Sequence, residues 1–315
     1  MVVFVTSSIP EIGIQLLQKK YEVKVYPKPN PIPRKDLIEG VKKCAGLISL
    51  LTDKIDKEII DSMLNCKVIA NYAAGYNNID IVYAKDKGIV VTNTPDVLTD
   101  STADLAMALT LSCARRFVEG EEMMRQKKFS GWHPMLLRGI ELKDKIFGIL
   151  GAGRIGTATA IRAAAFGCKI LYYSNHRNVI LEQKTGAKKV SLNALLKKSD
   201  IISIHLPLHA KTNKLLSREK LELLKPSSIL INTARGEIVD EKYLVKMLES
   251  ERIYAAGFDV YENEPNVNPK LLKLKNSVLL PHLGSATIES RNAMSLLAAK
   301  NIDAVLSGRK PITQV

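Results

Sequence analysis

Cysteine is scarce in this sequence of 315 residues. Cys44, Cys66, Cys113 and Cys168 are widely spaced, with no CxxC pair and no nearby histidine that would indicate a metal site. This spacing excludes a disulfide-stabilised secreted scaffold and favours buried, reduced thiols. We therefore expect a cytoplasmic protein that binds no metal ion.

Long hydrophobic runs are also missing. The longest apolar-rich stretch, residues 105–114, lies between Asp104 and Arg115 and is far too short to span a bilayer. The first residues, MVVFVTSSIPEIG, lack a basic region followed by a long apolar run, so we expect no signal peptide. The sequence thus predicts a protein with no membrane partner.

Acidic residues are outnumbered, with 32 Asp and Glu against 46 Lys and Arg, which gives a net charge of +14. A nucleic-acid-binding protein needs basic residues gathered into a patch, whereas the basic pairs here are scattered and not interleaved with aromatic residues. We interpret the charge as a solvated surface that can help attract an anionic substrate or a phosphate-bearing cofactor. We expect no nucleic-acid partner.

Short β-branched runs alternate with amphipathic stretches in two series. The strand-like runs are 2–6, 22–26, 46–50, 67–71 and 89–93, then 145–150, 169–173, 200–206, 227–233, 253–260 and 277–282. This alternation predicts an α/β chain with two mostly parallel sheets and helices on both faces. Between the series, residues 99–128 predict one long helix that crosses from one unit to the other.

A glycine pattern opens the second series. Gly151, Gly153 and Gly156 stand as G-x-G-x-x-G directly after an apolar run and before an Ala-rich helical stretch. In this context the first glycine permits a tight turn, the second a close approach of pyrophosphate, and the third close helix–strand packing. We expect a dinucleotide site, the alternative being a structural glycine turn.

The next strand ends in Ser174, Asn175, His176 and Arg177, where an NAD-binding unit usually has an acidic residue. A carboxylate at this point would repel a phosphate on the ribose, whereas a guanidinium binds phosphate through two hydrogen bonds. The stretch therefore predicts NADP(H) as the preferred cofactor, with NAD(H) possible. The alternative is that Arg177 points into solvent and both cofactors work.

Polar residues follow three later strands of the second series. Arg235 follows the first, Asp259 and Glu264 the second, and His282 the third. The carboxyl ends of parallel strands face the ligand crevice, so these groups can converge. Although each could be structural on its own, together with a dinucleotide they predict hydride transfer to a 2-oxo acid.

Four segments carry a resemblance to a known family: GAGRIG, NTARGEIVDEKYL, GFDVYENEP and PHLGSAT. In order and spacing they resemble the D-2-hydroxyacid dehydrogenases, and the similarity covers essentially the whole chain. NYAAGYNNID (71–80) resembles the substrate-carboxylate loop of that family, and residues 93–109 resemble its interdomain helix. Residues 129–142 are closest to the glyoxylate/hydroxypyruvate reductase branch.

The resemblance implies two doubly wound parallel-sheet domains. Residues 1–100 and 285–315 would form a flavodoxin-like substrate domain, and residues 101–284 a Rossmann coenzyme domain. Their closure would exclude water during hydride transfer. The implied reaction is the NAD(P)H-dependent reduction of glyoxylate or hydroxypyruvate to the 2-hydroxy acid, as the D-isomer where it is chiral.

The resemblance also implies the residue roles. Arg235 would bind the carboxylate and carbonyl oxygen of the substrate, His282 would protonate that oxygen, and Glu264 would favour the imidazolium form of His282. The expected substrate-binding residues are Leu50, Ala74, Gly75, Trp132 and Arg235. The expected cofactor-binding residues are Thr102, Gly151, Gly153, Arg154, Ile155, Gly156, Ser174, Asn175, His176, Arg177, Pro207, Thr233, Arg235, Asp259, His282 and Gly284.

Two features bear on the substrate and on assembly. Phosphoglycerate dehydrogenases of the family carry an Arg in the stretch that matches residues 49–56, where this chain has Leu50 and Leu51. We also expect no regulatory domain of the kind found in those enzymes. Both differences argue against a phosphorylated substrate. Trp132 would wall the pocket of a neighbouring subunit in a homodimer, its alternative role being simple packing.

Other family activities stay open. A D-lactate or phosphoglycerate dehydrogenase is one alternative, and a co-repressor that uses its dinucleotide site as a sensor is another. The complete Arg235, Glu264 and His282 set argues against the co-repressor.

Overall fold

The structure, a computed structural model, describes residues 1–28 and 31–315. These residues form two units, one containing Met1–Leu98 and Ser285–Val315 and the other Thr99–Gly284. Each unit has its own parallel sheet with helices packed against it. This confirms the predicted α/β fold class with two parallel sheets.

The first unit is built on a five-stranded sheet. Its strands are β1 (Val2–Val5), β2 (Glu22–Val25), β3 (Gly46–Ser49), β4 (Val68–Asn71) and β5 (Val90–Thr92). All pairings are parallel, in the order β2-β1-β3-β4-β5. This is the strand order of flavodoxin-like sheets.

Four helices of the first unit connect these strands. They are α1 (Glu11–Gln18), α2 (Arg34–Val41), α3 (Lys57–Asp61) and α4 (Ile81–Asp86). Asp56 and Asp80 cap α3 and α4 by accepting the backbone N–H groups of Ile59 and Tyr83. Such caps satisfy N–H groups that have no partner within the helix.

The second unit contains a seven-stranded sheet. Its strands are β6 (Ile146–Leu150), β7 (Lys169–Tyr173), β8 (Lys188–Lys189), β9 (Ile201–Ile204), β10 (Ile229–Asn232), β11 (Ala255–Phe258) and β12 (Ser277–Leu279). The order is β12-β11-β10-β9-β6-β7-β8, and all pairings are parallel. This is the Rossmann order with one additional strand.

Helices cover both faces of the larger sheet. They are α5 (Thr99–Arg115), α6 (Phe117–Arg125), α7 (Arg154–Ala165), α8 (Val179–Thr185), α9 (Leu192–Lys198), α10 (Arg218–Leu221) and α11 (Glu241–Glu249). Buried residues of α5 and α7 pack in one apolar core, and those of α9 to α11 pack in a second. Short 3₁₀ turns span Gly236–Ile238 and Leu271–Lys273.

The single helix predicted over residues 99–128 is wrong in its length. Arg116 has a φ of 55°, which ends α5 at Arg115 before α6 begins. At this break the carbonyl oxygen of Ala114 accepts the N–H of Ile140 at 2.8 Å instead of an N–H of the same helix. Periodicity reveals neither the positive φ nor this contact with a segment distant in sequence. All of α5 belongs to the second unit.

The last helix, α12 (Ile288–Leu306), belongs to the first unit. It packs against α1, and the Ser295 hydroxyl donates to the carbonyl oxygen of Pro10 at 2.6 Å. A Cβ atom at Gly13 would lie 2.3 Å from the carbonyl oxygen of Ser295. Glycine is therefore required where these two helices approach each other.

No membrane-spanning or metal-binding feature is found in the described residues. Over residues 1–28 and 31–315, no helix is long and apolar enough to cross a membrane. Over the same ranges, no group of three or more His, Cys, Asp or Glu side chains could hold a metal ion. The four cysteines are buried free thiols.

Candidate active site

The predicted cofactor residues collect at one edge of the second unit, where the strands end. In this sheet β6 has β7 on one side and β9 on the other, which is a topological switch point where ligands of open α/β sheets bind. Thr102 lies in the first turn of α5, and Pro207 follows β9. Thr233, Asp259 and His282 follow β10, β11 and β12.

The glycine turn between β6 and α7 has the shape that a pyrophosphate site needs. Gly151 has a φ of 100°, and a Cβ at Gly156 would lie 2.0 Å from the carbonyl oxygen of Gly151. Packing therefore requires both glycines. A Cβ at Gly153, in contrast, would meet no described atom within 4 Å. Gly153 thus leaves room where the N–H groups of Arg154 and Ile155 begin α7.

Two further observations fit a dinucleotide at this edge. Asn178 braces the glycine turn, because its Nδ2 donates to the carbonyl oxygen of Ala152 and to Oγ1 of Thr157, both at 2.9 Å. The buried hydroxyl of Thr233 has no hydrogen-bond partner among the described residues. An unpartnered buried hydroxyl is costly unless a ligand satisfies it. The turn and the hydroxyl are therefore suited to hold a cofactor.

The end of β7 presents Ser174 half-buried, with Asn175, His176 and Arg177 exposed. Arg177 makes an ion pair with Glu182 of α8, through Nη2 at 2.7 Å and Nε at 2.8 Å. The hydrogen bond from Arg177, and to a smaller extent the one from the Tyr172 hydroxyl, lowers the pKa of Glu182. The sequence did not indicate this pairing, which fixes one edge of the guanidinium.

His282 and Glu264 form a hydrogen-bonded pair beside β12. Nδ1 of His282 lies 2.8 Å from Oε2 of Glu264, and the N–H of Tyr261 donates to Oε1 at 3.0 Å. Burial acts to raise the pKa of Glu264, but these hydrogen bonds and the charges of His282 and Arg235 outweigh it. The net result is a lowered pKa. Glu264 is therefore an ionised partner for the imidazole.

Asp259 holds the backbone that carries His282. Its two carboxylate oxygens accept the N–H groups of Leu283 at 2.6 Å and of Gly284 at 2.8 Å. His282 itself has a φ of 58°, a conformation that is uncommon for a residue other than glycine. The hydroxyl of Thr102 donates to the carbonyl oxygen of Gly284 at 3.0 Å. Asp259 therefore holds this loop through two of its N–H groups, and Thr102 holds it through a carbonyl oxygen.

Arg235 lies partly buried after β10. Asn232 anchors its backbone by donating through Nδ2 to the carbonyl oxygen of Arg235 at 2.9 Å. Burial lowers the pKa of Arg235, and the charges of Glu264 and Glu237 oppose this effect. An arginine remains charged under such conditions, so a cation stands near the His282–Glu264 pair.

A buried polar network in the first unit connects the two predicted substrate loops. Nδ2 of Asn78 donates to the carbonyl oxygens of Leu50 and Asp53, both at 3.0 Å. Nδ2 of Asn71 donates to Oδ1 of Asn78 at 3.0 Å and to the carbonyl oxygen of Gly75 at 2.8 Å. Two asparagines therefore hold the turn at Leu50 and the loop that contains Ala74 and Gly75.

Asp53 completes this network. Its Oδ2 accepts the Thr6 hydroxyl at 2.5 Å and the N–H of Leu50 at 2.7 Å. Asp53 is 2% exposed, and burial raises its pKa despite these two bonds. The turn that presents Leu50 is thus tied to the sheet by side chains as well as backbone.

Comparison with known proteins shows the family. A sequence model described as "D-isomer specific 2-hydroxyacid dehydrogenase, NAD binding domain" matches residues 107–284. The chain belongs to the D-isomer specific 2-hydroxyacid dehydrogenases. It is 49% identical over 313 residues to a glyoxylate reductase of Thermococcus litoralis, with 98% of this chain and 95% of that protein covered.

Solved structures of other proteins agree with this D-2-hydroxyacid dehydrogenase fold. A protein of Thermus thermophilus superposes with a TM-score of 0.95 at 40% identity, and both chains are covered completely. An NADPH-dependent glyoxylate/hydroxypyruvate reductase of Sinorhizobium meliloti, solved with NADP and malonate, gives 0.88 at 33% identity. There, 100% of this chain and 96% of the other are covered. The second unit of this dehydrogenase therefore binds a nicotinamide dinucleotide.

Trp132 lies outside both polar clusters, in the segment after α6. It is 83% exposed, and Phe129 and Met135 of the same segment are also exposed. On α6, Phe117 and Met124 expose their side chains as well. This dehydrogenase thus exposes apolar side chains on α6 and over residues 129–136, and we call these two stretches together the apolar arm.

The sequence patterns did not indicate the residues that hold the predicted site residues in position. Asn178, Asn71, Asn78 and Asp53 brace the predicted loops, and Tyr261 positions Glu264 through its backbone. Asn71 at the end of an apolar strand was a usable signal, because a buried amide needs partners. The role of Tyr261 is carried by its main chain, so its side chain gave no signal for this contact.

Proposed function

We propose that this chain reduces a small 2-oxo acid, glyoxylate or hydroxypyruvate, to the 2-hydroxy acid, giving the D-isomer where the product is chiral. The observation that carries the proposal is the His282–Glu264 pair, joined at 2.8 Å at the strand edge that also carries Arg235. Membership of the 2-hydroxyacid dehydrogenases supports the reaction, and the relatives named as glyoxylate reductases support the substrate class.

Each residue of the trio has a task that suits its surroundings. The planar guanidinium of Arg235 binds the carboxylate and the oxo oxygen. Because Nδ1 of His282 faces Glu264, Nε2 is the nitrogen that presents a proton to the oxo oxygen. The ionised Glu264 hydrogen-bonds to Nδ1 and so orients the ring for this transfer. When bound, the reduced nicotinamide supplies the hydride that C2 of the substrate accepts.

The first unit contributes substrate selection in this proposal. Backbone N–H groups at Ala74 and Gly75 bind the substrate carboxylate, and the network of Asn71 and Asn78 holds their loop in shape. Leu50 supplies an apolar wall where a phosphate-binding enzyme needs a cation. This arrangement favours a short, unphosphorylated acid over phosphoglycerate.

We propose NADPH as the preferred reductant. The end of β7 carries no carboxylate in residues 174–178, so nothing within that stretch repels a ribose phosphate. Glu182 occupies the Nε–Nη2 edge of Arg177. The end-on edge, which includes Nη1, can take the phosphate while the ion pair keeps the side chain in place. The acidic neighbour reduces the net positive charge, so we expect a preference of only about tenfold.

The test of this preference is kcat/KM with NADPH and with NADH for the parent, Arg177→Ala and Glu182→Gln. Arg177→Ala should remove the preference by weakening NADPH alone, and Glu182→Gln should leave NADPH at least as good. A parent that prefers NADH contradicts the role given to Arg177 but not the reaction.

The apolar arm supports a homodimer. Its exposed Phe117, Phe129 and Trp132 would be covered by a second copy, in which Trp132 reaches the pocket of its partner. Light scattering should give twice the chain mass of 34.8 kDa. Trp132→Ala should raise KM for the oxo acid if the side chain lines a pocket, and a monomeric parent contradicts the arrangement.

The reaction itself is tested by following the oxidation of NADPH and NADH with a panel of 2-oxo acids. Glyoxylate and hydroxypyruvate should give the highest kcat/KM, and pyruvate and 3-phosphohydroxypyruvate should be poorer. If 3-phosphohydroxypyruvate is best, the substrate assignment is wrong. If the protein binds a dinucleotide but reduces none of the acids, a sensing role replaces catalysis.

A further inference from the structure

Two cysteines lie next to each other at the start of adjacent strands in the first unit. In the ladder between β3 and β4, Gly46 is the partner of Val68. Counting back two residues on each strand brings Cys44 opposite Cys66. The N–H of Lys67 donates to the carbonyl oxygen of Ala45 at 2.9 Å, so the ladder continues to the residues that directly follow the two cysteines.

The backbone spacing suits a covalent bond. Neighbouring strands lie about 4.8 Å apart. Disulfide-bonded cysteines have Cα atoms about 4.4 to 6.8 Å apart. Both side chains belong to the same buried core, so the two thiols share one side of the sheet. The pair therefore needs no large backbone movement to be linked.

The two thiols differ in reactivity. The Cys44 thiol donates to the carbonyl oxygen of Val41 and the Cys66 thiol to that of Val68, each at 3.3 Å. The contact between the two cysteines lowers the pKa of the Cys66 thiol against the effect of burial, and the same contact together with burial raises the pKa of Cys44. Cys66 is 8% exposed, and it stands in a surface loop between the exposed residues Asn65 and Lys67. Cys44 is 0% exposed. Cys66 is therefore the thiol that an oxidant reaches first.

The other cysteines provide a contrast within the same chain. Burial raises the pKa of Cys113 to about 12 and that of Cys168 to about 11. A thiol with so high a pKa carries little thiolate, which is the reactive form. Cys113 and Cys168 are thus internal controls.

From this geometry we infer that Cys44 and Cys66 are a reversible oxidation site for hydroperoxides. The Cys66 thiolate attacks the O–O bond, takes one oxygen to become a sulfenic acid, and releases water or an alcohol. The Cys44 sulfur then attacks the Cys66 sulfur, the S–S bond forms, and the hydroxyl leaves as water. Two thiols and one hydroperoxide thus give one disulfide, one alcohol or water, and one further water.

The bond would close the chain from residue 44 to residue 66 and restrict the unfolded state of the first unit. We expect the unfolding temperature of the oxidised protein to rise by on the order of 5 °C. Dithiothreitol should reverse the rise by restoring both thiols.

The experiment treats the folded full-length protein with hydrogen peroxide, blocks remaining thiols with an alkylating reagent after unfolding, and measures intact mass. We expect a loss of about 2 Da before blocking. Two alkylated thiols should remain, and a linked peptide pair should contain Cys44 and Cys66. The variant with Cys113→Ser and Cys168→Ser should behave like the parent, and Cys66→Ser should lose the crosslink.

Three results overturn the inference. The first is four alkylatable thiols after oxidation, and the second is a linked pair that includes Cys113 or Cys168. The third is a stable gain of two or three oxygens on Cys66 without a crosslink. Each of these results would be observed on the parent protein, so a variant that fails to fold does not affect the test.

Discussion

Replacing Glu264 with Gln should lower kcat/KM for glyoxylate. In the proposed reaction Nε2 of His282 donates a proton to the substrate, and the carboxylate 2.8 Å from Nδ1 orients the ring for this transfer. Glutamine keeps the size of the side chain but removes its negative charge. The charge-assisted hydrogen bond to the ring is then replaced by a weaker neutral one, so the ring is oriented less well.

The size of the effect follows from the contact. A hydrogen bond to a charged group contributes about 1.5–3 kcal/mol. The side chains of His282 and Glu264 are 27% and 30% exposed, which leaves them only partly screened by solvent. Taking the lower value, we expect kcat/KM to fall about tenfold.

The assay is kcat/KM for glyoxylate with saturating NADPH at neutral pH. Glu262→Gln is the matched control, because Glu262 is a nearby glutamate whose partner is Lys214 at 2.7 Å. This control should keep a kcat/KM close to that of the parent. A Glu264→Gln variant that also keeps the kcat/KM of the parent refutes the role of this carboxylate.

The pH dependence of the unfolding free energy gives a second test of Glu264→Gln. The folded-state pKa of Glu264 lies below its ordinary value of 4.5. Its ionised form therefore stabilises the fold above about pH 4.5, and this contribution is lost as the pH falls through the lower, folded value. The difference in unfolding free energy between the parent and Glu264→Gln should narrow over that acid range.

Three further predictions concern the loops around the site. Gly153→Ala should raise the Kd for NADPH about tenfold or more with little loss of stability, because the added Cβ meets only open space. Gly156→Ala should instead destabilise the second unit, since its Cβ would lie 2.0 Å from the carbonyl oxygen of Gly151. Titration of NADPH fluorescence measures the first effect and thermal unfolding the second, and equal effects of the two variants would contradict these roles. Asn78→Ala should raise KM for glyoxylate more than it lowers kcat, because both predicted substrate loops lose an anchor. An unchanged KM would show that the loops keep their shape without this side chain. Arg235→Lys should raise KM strongly and lower kcat, because lysine lacks the planar fork that pairs with a carboxylate, and an unchanged KM would place the carboxylate elsewhere.

Periodicity and glycine placement predicted the fold well, because both are local signals. The β-branched runs became strands close to their expected bounds, with the sheet orders of flavodoxin-like and Rossmann folds. The prediction of one helix over residues 99–128 was wrong because the backbone turns at Arg116, whose φ is 55°, and no local pattern indicates that turn. β8 was missed because its two lysines are exposed and carry no strand-like pattern.

The sequence predicted those parts of the candidate site in which a polar side chain follows a strand. Arg235, Glu264 and His282 follow strands, and the rule for parallel sheets was enough to expect them at one edge. The pairing of Arg177 with Glu182 could not be read from spacing alone, because it depends on how α8 packs against the end of β7. Backbone contacts, such as those of Asp259 with Leu283 and Gly284, also leave no pattern in the sequence.

The most direct test of the account is the turnover of His282→Ala with glyoxylate, measured together with NADPH binding. Since general-acid catalysis contributes roughly a factor of 10² to 10⁴, kcat should fall by at least about a hundredfold. The Kd for NADPH, measured by fluorescence titration, should stay close to that of the parent. A His282→Ala variant that retains most of its kcat would contradict the proposed reaction at this site.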